Sequence, residues 1–463
     1  MENYTSQSVK EPEDKVRQMI ANTPLTRWLV LICAVLGTVF ALVIVTAMDK
    51  GDGWVSWAPA YALFWGLYVA GFYVMTWQRA KGNVDAWLVL GAAALLFVHY
   101  AFYKSESIGA LNYLAIPMLL MLHSVLVTRD VKKGQEGKYI RPYFMGWFAY
   151  PFMNIGRFFT ALGTLFKKDG NPTKRAALLG LLFGIPVVVV VASLLMNADS
   201  VMGYYGKQLL AGISVGLIIS RTLIGLAVAV LFYSFIFTTV YKPTQIKEGE
   251  AQRNVEAASM IVVISLLLVV YAVFAYFQFA YLTGIKGLPL DLTYSEYAVS
   301  GFTQLLFVAA INLGVFAFTV SLCKQHRALK PLLLALLAAT LVVLYSGIMR
   351  LSMYIGAYGL TFARILPMWF MMFLTAAVLL CSVKLFVKRL CLLRACACIL
   401  IVWYLVLNAI NIDAVVANSI IARADARGYM VEQDKSYMRH YLSKDAKAVI
   451  DASAYAEEIE KTN

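Results

Sequence analysis

Residues 258–283 read ASMIVVISLLLVVYAVFAYFQFAYLT, twenty-six positions without a charged side chain. At about 1.5 Å of rise per residue, a helix of this length crosses the roughly 30 Å hydrocarbon core of a bilayer. The rest of the chain has the same character. Of 463 residues 61% are hydrophobic and only 14% charged, and the mean hydropathy is +0.72. A soluble domain sits near 45–50% apolar and about 25% charged. The expected fold is therefore all-α, a polytopic integral membrane helix bundle.

Working outward from 258–283, apolar stretches of spanning length also occur at 28–48, 55–77, 84–102, 108–128, 176–196, 218–241, 301–322, 332–349, 366–386 and 392–411, giving eleven expected spans. The connections between them alternate in charge. Lys10, Lys15, Arg17 and Arg27 precede the first span; Arg79 and Lys81 follow the second, and ten Lys and Arg residues from Arg129 to Arg175 follow the fourth. Lys242, Lys247 and Arg253 follow the sixth span, Lys324, Arg327 and Lys330 the eighth, and Lys384, Lys388, Arg389 and Arg394 the tenth. The intervening connections carry only Lys50, Lys104, Lys207, Lys286 and the pair Arg350 and Arg364. The positive-inside rule then places the N-terminus in the cytoplasm and the C-terminal tail outside it. The same rule accounts for a net charge of +14 without nucleic acid as a partner.

Five regions follow: a cytoplasmic N-terminal segment at 1–27, a four-helix membrane unit at 28–128, a cytoplasmic interfacial linker at 129–175, a seven-helix membrane unit at 176–411, and an extracytoplasmic helical tail at 412–463. The first residues, MENYTSQSVKEPEDKVRQM, lack the basic-then-apolar pattern of a signal peptide. Within the linker, YIRPYFMGWFAYPFMNIGRFFTALGTLFKK is aromatic and basic, broken by Pro142 and Pro151, and suits a helix lying in the headgroup layer. A re-entrant segment is the alternative. In the tail, Gly428 reads as a helix stop and Ser443 as an N-cap.

The six cysteines lie in or beside apolar segments and suggest no disulfide framework. Cys391, Cys396 and Cys398 read as small membrane-helix residues, since no His or acidic residue lies close in sequence. No HExxH, GxSxG or phosphate-binding loop is present, and His99, His123, His326 and His440 have no partner at ligand spacing. The sequence therefore implies no metal, no cofactor and no assignable catalytic residue.

Polar groups inside membrane segments are costly, so their position is the best pointer to function. Here they gather towards the outer face. Asp199 ends the fifth span, and Gln278 lies near the outer end of the seventh. The following loop, LPLDLTYSEYAVSGFTQLLF, supplies Tyr294, Glu296 and Tyr297 and leads into Gln304. In SGIMRLSMYIGAYGLTFARILPMW, Arg350, Tyr354 and Tyr358 repeat every four residues, with Arg364 just beyond. That spacing puts a guanidinium and two phenols on one helical stripe, able to hold an anion or to pair with a carboxylate. An internal network that fixes helix packing is the alternative.

FQFAYLTG, TYSEYAVSGFTQLLFVAAINL, SGIMRLSMYIGAYGLTFAR, NIDAVVANSIIAR and YLSKDA, in that order, resemble bacterial polytopic membrane proteins of the domains of unknown function four-one-five-three and four-one-seven-three. The resemblance covers roughly residues 175–450. It implies the fold, the topology and a bacterial inner membrane, but no reaction. Two positions differ from the family pattern: Ile412 stands where a Pro is common, and Val299 where an Arg often follows Glu-Tyr-Ala.

The leading expectation is a non-enzymatic binding or accessory protein. Its outer-face Arg/Tyr/Glu cluster and tail would engage an anionic or lipid ligand, or a membrane protein partner. A transporter of a small anionic solute is the first alternative. The second is a transferase acting on a lipid-linked substrate at the outer leaflet, with Glu296, Asp199 or Asp413 as base and Arg350 or Arg364 as phosphate clamp. For the tail motif, read as one helix running on from the last span, Asn411, Asn418 and Asp425 fall seven apart and predict a protein-facing polar stripe. Asp413 then needs a partner elsewhere, and Arg423 closes the motif.

Overall fold

In a computed structural model the described residues are 24–49, 55–80, 83–129, 136–165, eight positions between 180 and 199, 215–241, 255–282, 302–387 and 389–461. Ten helices among them are long and apolar enough to cross a membrane. They are α1 (Pro24–Val39, running on through Phe40–Ile44 to Val45–Asp49), α2 (Ala58–Ala80), α3 (Val84–Phe102), α4 (Glu106–Thr128), and, beyond three short helices, α8 (Val215–Tyr241). There follow α9 (Ala257–Leu282), α10 (Phe302–Leu322), α11 (Leu329–Tyr358), α12 (Phe362–Phe386) and α13 (Leu392–Ala409). The short helices are α5 (Ile140–Phe148), α6 (Tyr150–Met153) and α7 (Ile155–Leu165). The expected span at 176–196 falls largely outside the described residues.

The chain divides into two compact units. The first comprises Met1–Tyr100, Ala110–Val131 and Gly137–Ile246; the second comprises Ala101–Gly109, Lys132–Glu136 and Lys247–Asn463.

In the first unit α1 and α8 cross closely at paired glycines. A Cβ on Gly37 would stand 2.1 Å from Gly225 O, and one on Gly225 would stand 2.9 Å from Gly37 O. Such small-residue crossings let backbones touch where no hydrophobic effect drives helices together. Beside the crossing, Phe40–Ile44 is a π-helical turn in which Val45 N–H reaches back to Phe40 O. Ala41 O accepts from Arg221 Nη1 at 3.3 Å, while Arg221 Nη2 pairs with Asp49 Oδ2 at 2.9 Å. The two terminal nitrogens of a guanidinium in an apolar helix thus find acceptors at a local helix defect, at Thr46 Oγ1 and at one carboxylate, while its buried Nε has none. His123 is a packed polar residue, bonded to Tyr73 Oη at 3.1 Å through Nε2 and to Ala86 O at 2.8 Å through Nδ1.

The aromatic segment after α4 breaks at Ala149 and Asn154. Its prolines are not the breaks: Pro142 is buried in the first turn of α5 and Pro151 opens α6. Both sit where a proline's missing N–H is tolerated. The polar groups freed at the breaks are satisfied by α8. Asn154 N–H donates to Ser234 Oγ at 2.9 Å, Asn154 Nδ2 to Thr238 Oγ1 at 2.7 Å, and Ser234 Oγ to Tyr150 O at 2.8 Å.

The core of the second unit packs α9 to α12 around Ile264, Phe316, Leu336, Leu351, Met371 and Val378. A polar relay crosses it: Tyr271 Oη donates to Asn312 Oδ1 at 2.6 Å, and Asn312 Nδ2 to Thr340 Oγ1 at 2.9 Å. Trp403 Nε1 ties α13 to Trp369 O of α12 at 3.0 Å.

The tail corrects one expectation. The last span does not run on as a single helix. It ends at Ala409, Ile410 is extended (φ −93°, ψ 133°), and α14 (Ile412–Arg427) restarts with Asn411 as N-cap, accepting from Ala414 N–H at 3.0 Å. Asn favours that cap because its side chain satisfies a first-turn N–H. The restart changes the helical phase. Ile412, Asp413, Val416, Ala417, Ile420 and Ala424 face inward, while Asn418 and Asp425 are exposed. The expected inward polar stripe is therefore absent. Both expected punctuation marks are present: Gly428 ends α14 with φ +80°, and Ser443 Oγ accepts from Asp445 N–H at 3.2 Å. The tail then forms α15 (Glu432–His440), α16 (Lys447–Asp451) and α17 (Ala456–Lys461).

Candidate functional site

Two neighbouring arrangements in the second unit hold most of the polar chemistry. One is a buried knot where the tail folds back on its own start. Asp413, 4% exposed, accepts at Oδ2 from Ser443 N–H at 3.1 Å and at Oδ1 from Ser105 Oγ at 3.3 Å. Asn411 Nδ2 donates to Asp445 O at 3.1 Å, and Asp445 Oδ2 accepts from Lys104 N–H. Tyr103 Oη donates to Ala409 O at 3.0 Å. The motifs NIDAVVANSIIAR and YLSKDA therefore pair with each other, and the 101–109 connection joins them. Ile108, Ile412, Val416, Ile420, Met438 and Ala446 pack as the apolar floor.

The other is a cationic corner at the C-terminal end of α11. Arg364 Nη1 donates to Tyr358 O at 2.9 Å and also to Gly359 O, and its Nη2 donates to Tyr354 Oη at 3.3 Å. The same guanidinium lies over the Tyr354 ring, 4.4 Å from its centroid. From α14, Arg423 Nη2 donates to Ala357 O at 2.8 Å. Two arginines distant in sequence thus cap one set of helix C-terminal carbonyls, where the helix dipole favours positive charge. Gly359 makes the approach possible. Its φ is +86°, and a Cβ there would stand 2.2 Å from Arg423 Nη1.

The corner carries more positive than negative charge. Arg427 lies 4.0 Å from Asp434. Burial, with Arg427 and Arg364 adding to it, holds Arg423 below the usual arginine range, and Asp434 opposes them. Tyr437 is shared between corner and knot. Its hydroxyl accepts from Phe362 N–H at 3.4 Å, and burial pushes its pKa up, with Asp413 nearby raising it and Arg364 lowering it.

Of the residues expected at the site, Arg364, Arg423, Tyr354 and Tyr358 meet at the corner, and Asn411 and Asp413 meet in the knot. Arg350 is half-buried on α11. Gln278 is buried and accepts from Ser346 Oγ at 2.6 Å, a helix-packing bond. Gln304 is exposed at the start of α10, and Asn418 is exposed on α14. Asp199 is exposed and belongs to the first unit. Tyr294, Glu296 and Tyr297 lie outside the described residues. Sequence reasoning missed Gly359, Arg427, Asp434 and Ser105. Of these only Gly359 carries a local signal, a glycine directly after a long apolar helix.

A family model described as a domain of unknown function (DUF4153) matches residues 90–453. The chain belongs to the DUF4153 family. The match begins within α3, well before residue 175, and takes in every residue of the DUF4153 corner and knot. No curated protein and no solved structure matches the chain.

Proposed function

We propose that this multi-pass DUF4153 protein is a non-enzymatic binding or accessory protein of a bacterial inner membrane, with its N-terminus cytoplasmic and its tail outside. Its cationic corner receives a phosphate- or carboxylate-bearing ligand, a lipid headgroup among them. The observation that carries this reading is the meeting of Arg364, Arg423 and Arg427 with Asp434 as the one opposing carboxylate in the interactions described, an excess of two positive charges. Guanidinium forks bind such oxyanions in bidentate fashion, and half-burial strengthens the bond. Tyr354 and Tyr358 add phenol donors beside Arg364. Arg350, two turns back along α11, stands at the rim in this reading, and the tail is the wall that brings Arg423.

Isothermal titration of the detergent-solubilised full chain with glycerol 3-phosphate tests it. Saturable binding in the wild type, lost in the Arg364→Gln, Arg423→Gln double variant, is the expected result. Equal binding by both chains would overturn the reading.

A further inference from the structure

The first unit contains an apolar pocket of about 270 Å³, formed by α2, α4 and α8 and closed by α5 and α6. Trp65, Tyr68, Met121, Trp147, Phe152 and Phe232 are among its walls. Its depth follows from position along the helices. Trp65 and Tyr68 lie twelve to fifteen residues before the end of α2 at Ala80, and Phe232 lies nine before the end of α8 at Tyr241. At ~1.5 Å per residue the pocket therefore reaches about 13–22 Å in from those ends, the depth of a lipid's hydrocarbon chain. The closing helices are themselves built for an apolar surround. Ile140, Phe144 and Phe148 recur every four residues on α5, and all three are exposed. Gly146 lets α5 lie against α4, since a Cβ there would stand 2.5 Å from Met121 Sδ.

The segment that supplies α5 to α7 is predominantly basic. Residues 136–165 carry Lys138, Arg141 and Arg157 against the single acidic residue Glu136. Arg141 is exposed, and Arg157 is half-buried with its guanidinium 4.9 Å from the Phe237 centroid. An apolar slot at hydrocarbon depth, walled in part by a segment that also carries three basic side chains, matches one kind of molecule: an amphiphile with a negatively charged head. We infer that this pocket binds the hydrocarbon chain of an anionic phospholipid, whose headgroup rests against Lys138, Arg141 and Arg157. The site is separate from the cationic corner and does not depend on it.

The test uses the full chain in phosphatidylcholine nanodiscs doped with brominated-chain phosphatidylglycerol or, separately, brominated-chain phosphatidylcholine. Tryptophan emission is the readout, because Trp65 and Trp147 line the pocket. The expected result is a saturable quenching component with the phosphatidylglycerol that the phosphatidylcholine does not give. Filling the pocket with Leu120→Phe and Leu231→Phe should remove it, as should Trp65→Phe together with Trp147→Phe, conservative changes that keep the proposal testable if the filled variant fails to fold. Lys138→Gln and Arg141→Gln should each raise the half-saturating mole fraction roughly fivefold, the worth of one basic residue beside an anionic lipid. Quenching that rises linearly and equally with both lipids is what bulk lipid around the exposed Trp28, Trp77 and Trp87 would give, and it would overturn the proposal. So would a saturable component that survives in both the filled variant and the Trp65→Phe, Trp147→Phe double variant, or one without preference for the anionic lipid.

Discussion

The knot and the corner are built from similar materials a few residues apart, yet their energetics differ. In the knot one carboxylate, Asp413, is buried and receives a backbone N–H and a hydroxyl. In the corner, half-buried guanidiniums crowd one another around backbone carbonyls. A buried charge persists only where the fold satisfies it, so the knot is structural, a clasp between the first and last parts of the tail. A half-exposed surplus of like charge retains capacity for a counter-ion, so the corner is the better place for a ligand. Burial together with completeness of pairing separates the two roles; residue type alone does not.

The largest test of that contrast is Asp413→Ala. It strands the Ser443 N–H and the Ser105 hydroxyl, and the loss of two bonds to a buried carboxylate costs on the order of 3 kcal/mol. Hydrogen exchange in residues 432–461 should accelerate roughly a hundredfold. Unchanged protection there would show that the apolar floor alone holds the tail.

Gly359→Ala comes next. A φ of +86° and a Cβ within 2.2 Å of Arg423 Nη1 both oppose it. The cost should be about 2 kcal/mol, read as a lower Tm together with weaker anion binding, since Arg423 must move. A variant of wild-type stability and affinity would remove the glycine from the account.

Arg423→Gln should have a smaller structural effect, about 1 kcal/mol for one carbonyl bond at a half-exposed site. Its effect on glycerol 3-phosphate affinity should be roughly tenfold, as expected for one charge-assisted contact. A loss of stability with no loss of affinity would turn the corner into a second clasp. Asn418→Ala is the smallest change, within about 0.5 kcal/mol, because the side chain is exposed. A larger loss would restore the inward stripe that the sequence suggests.

The membrane fold was legible because it rests on runs of apolar residues, a local property. So were Gly428 and Ser443, whose capping chemistry acts within three or four residues. The Arg364, Tyr354, Tyr358 grouping was half legible: its spacing is helical, while Arg423 joins it from more than fifty residues away. The sequence hides the cap at Asn411 for a physical reason. It follows an apolar run and precedes Ile412, a residue that a helix interior accepts, so nothing adjacent marks the break at Ile410. Once the helix restarts, every later side chain changes face, and one unrecognised cap moved Asn418 from the inside to the outside.

The central claim is that the surplus charge at the end of α11 holds an anion. The most direct measurement is a density map of the full chain purified with its native lipids. It should show non-protein density within hydrogen-bonding distance of both Arg364 and Arg423, displaced in the double Gln variant. Density showing those guanidiniums bonded only to the carbonyls of Ala357, Tyr358 and Gly359, to Tyr354 and to water would contradict it.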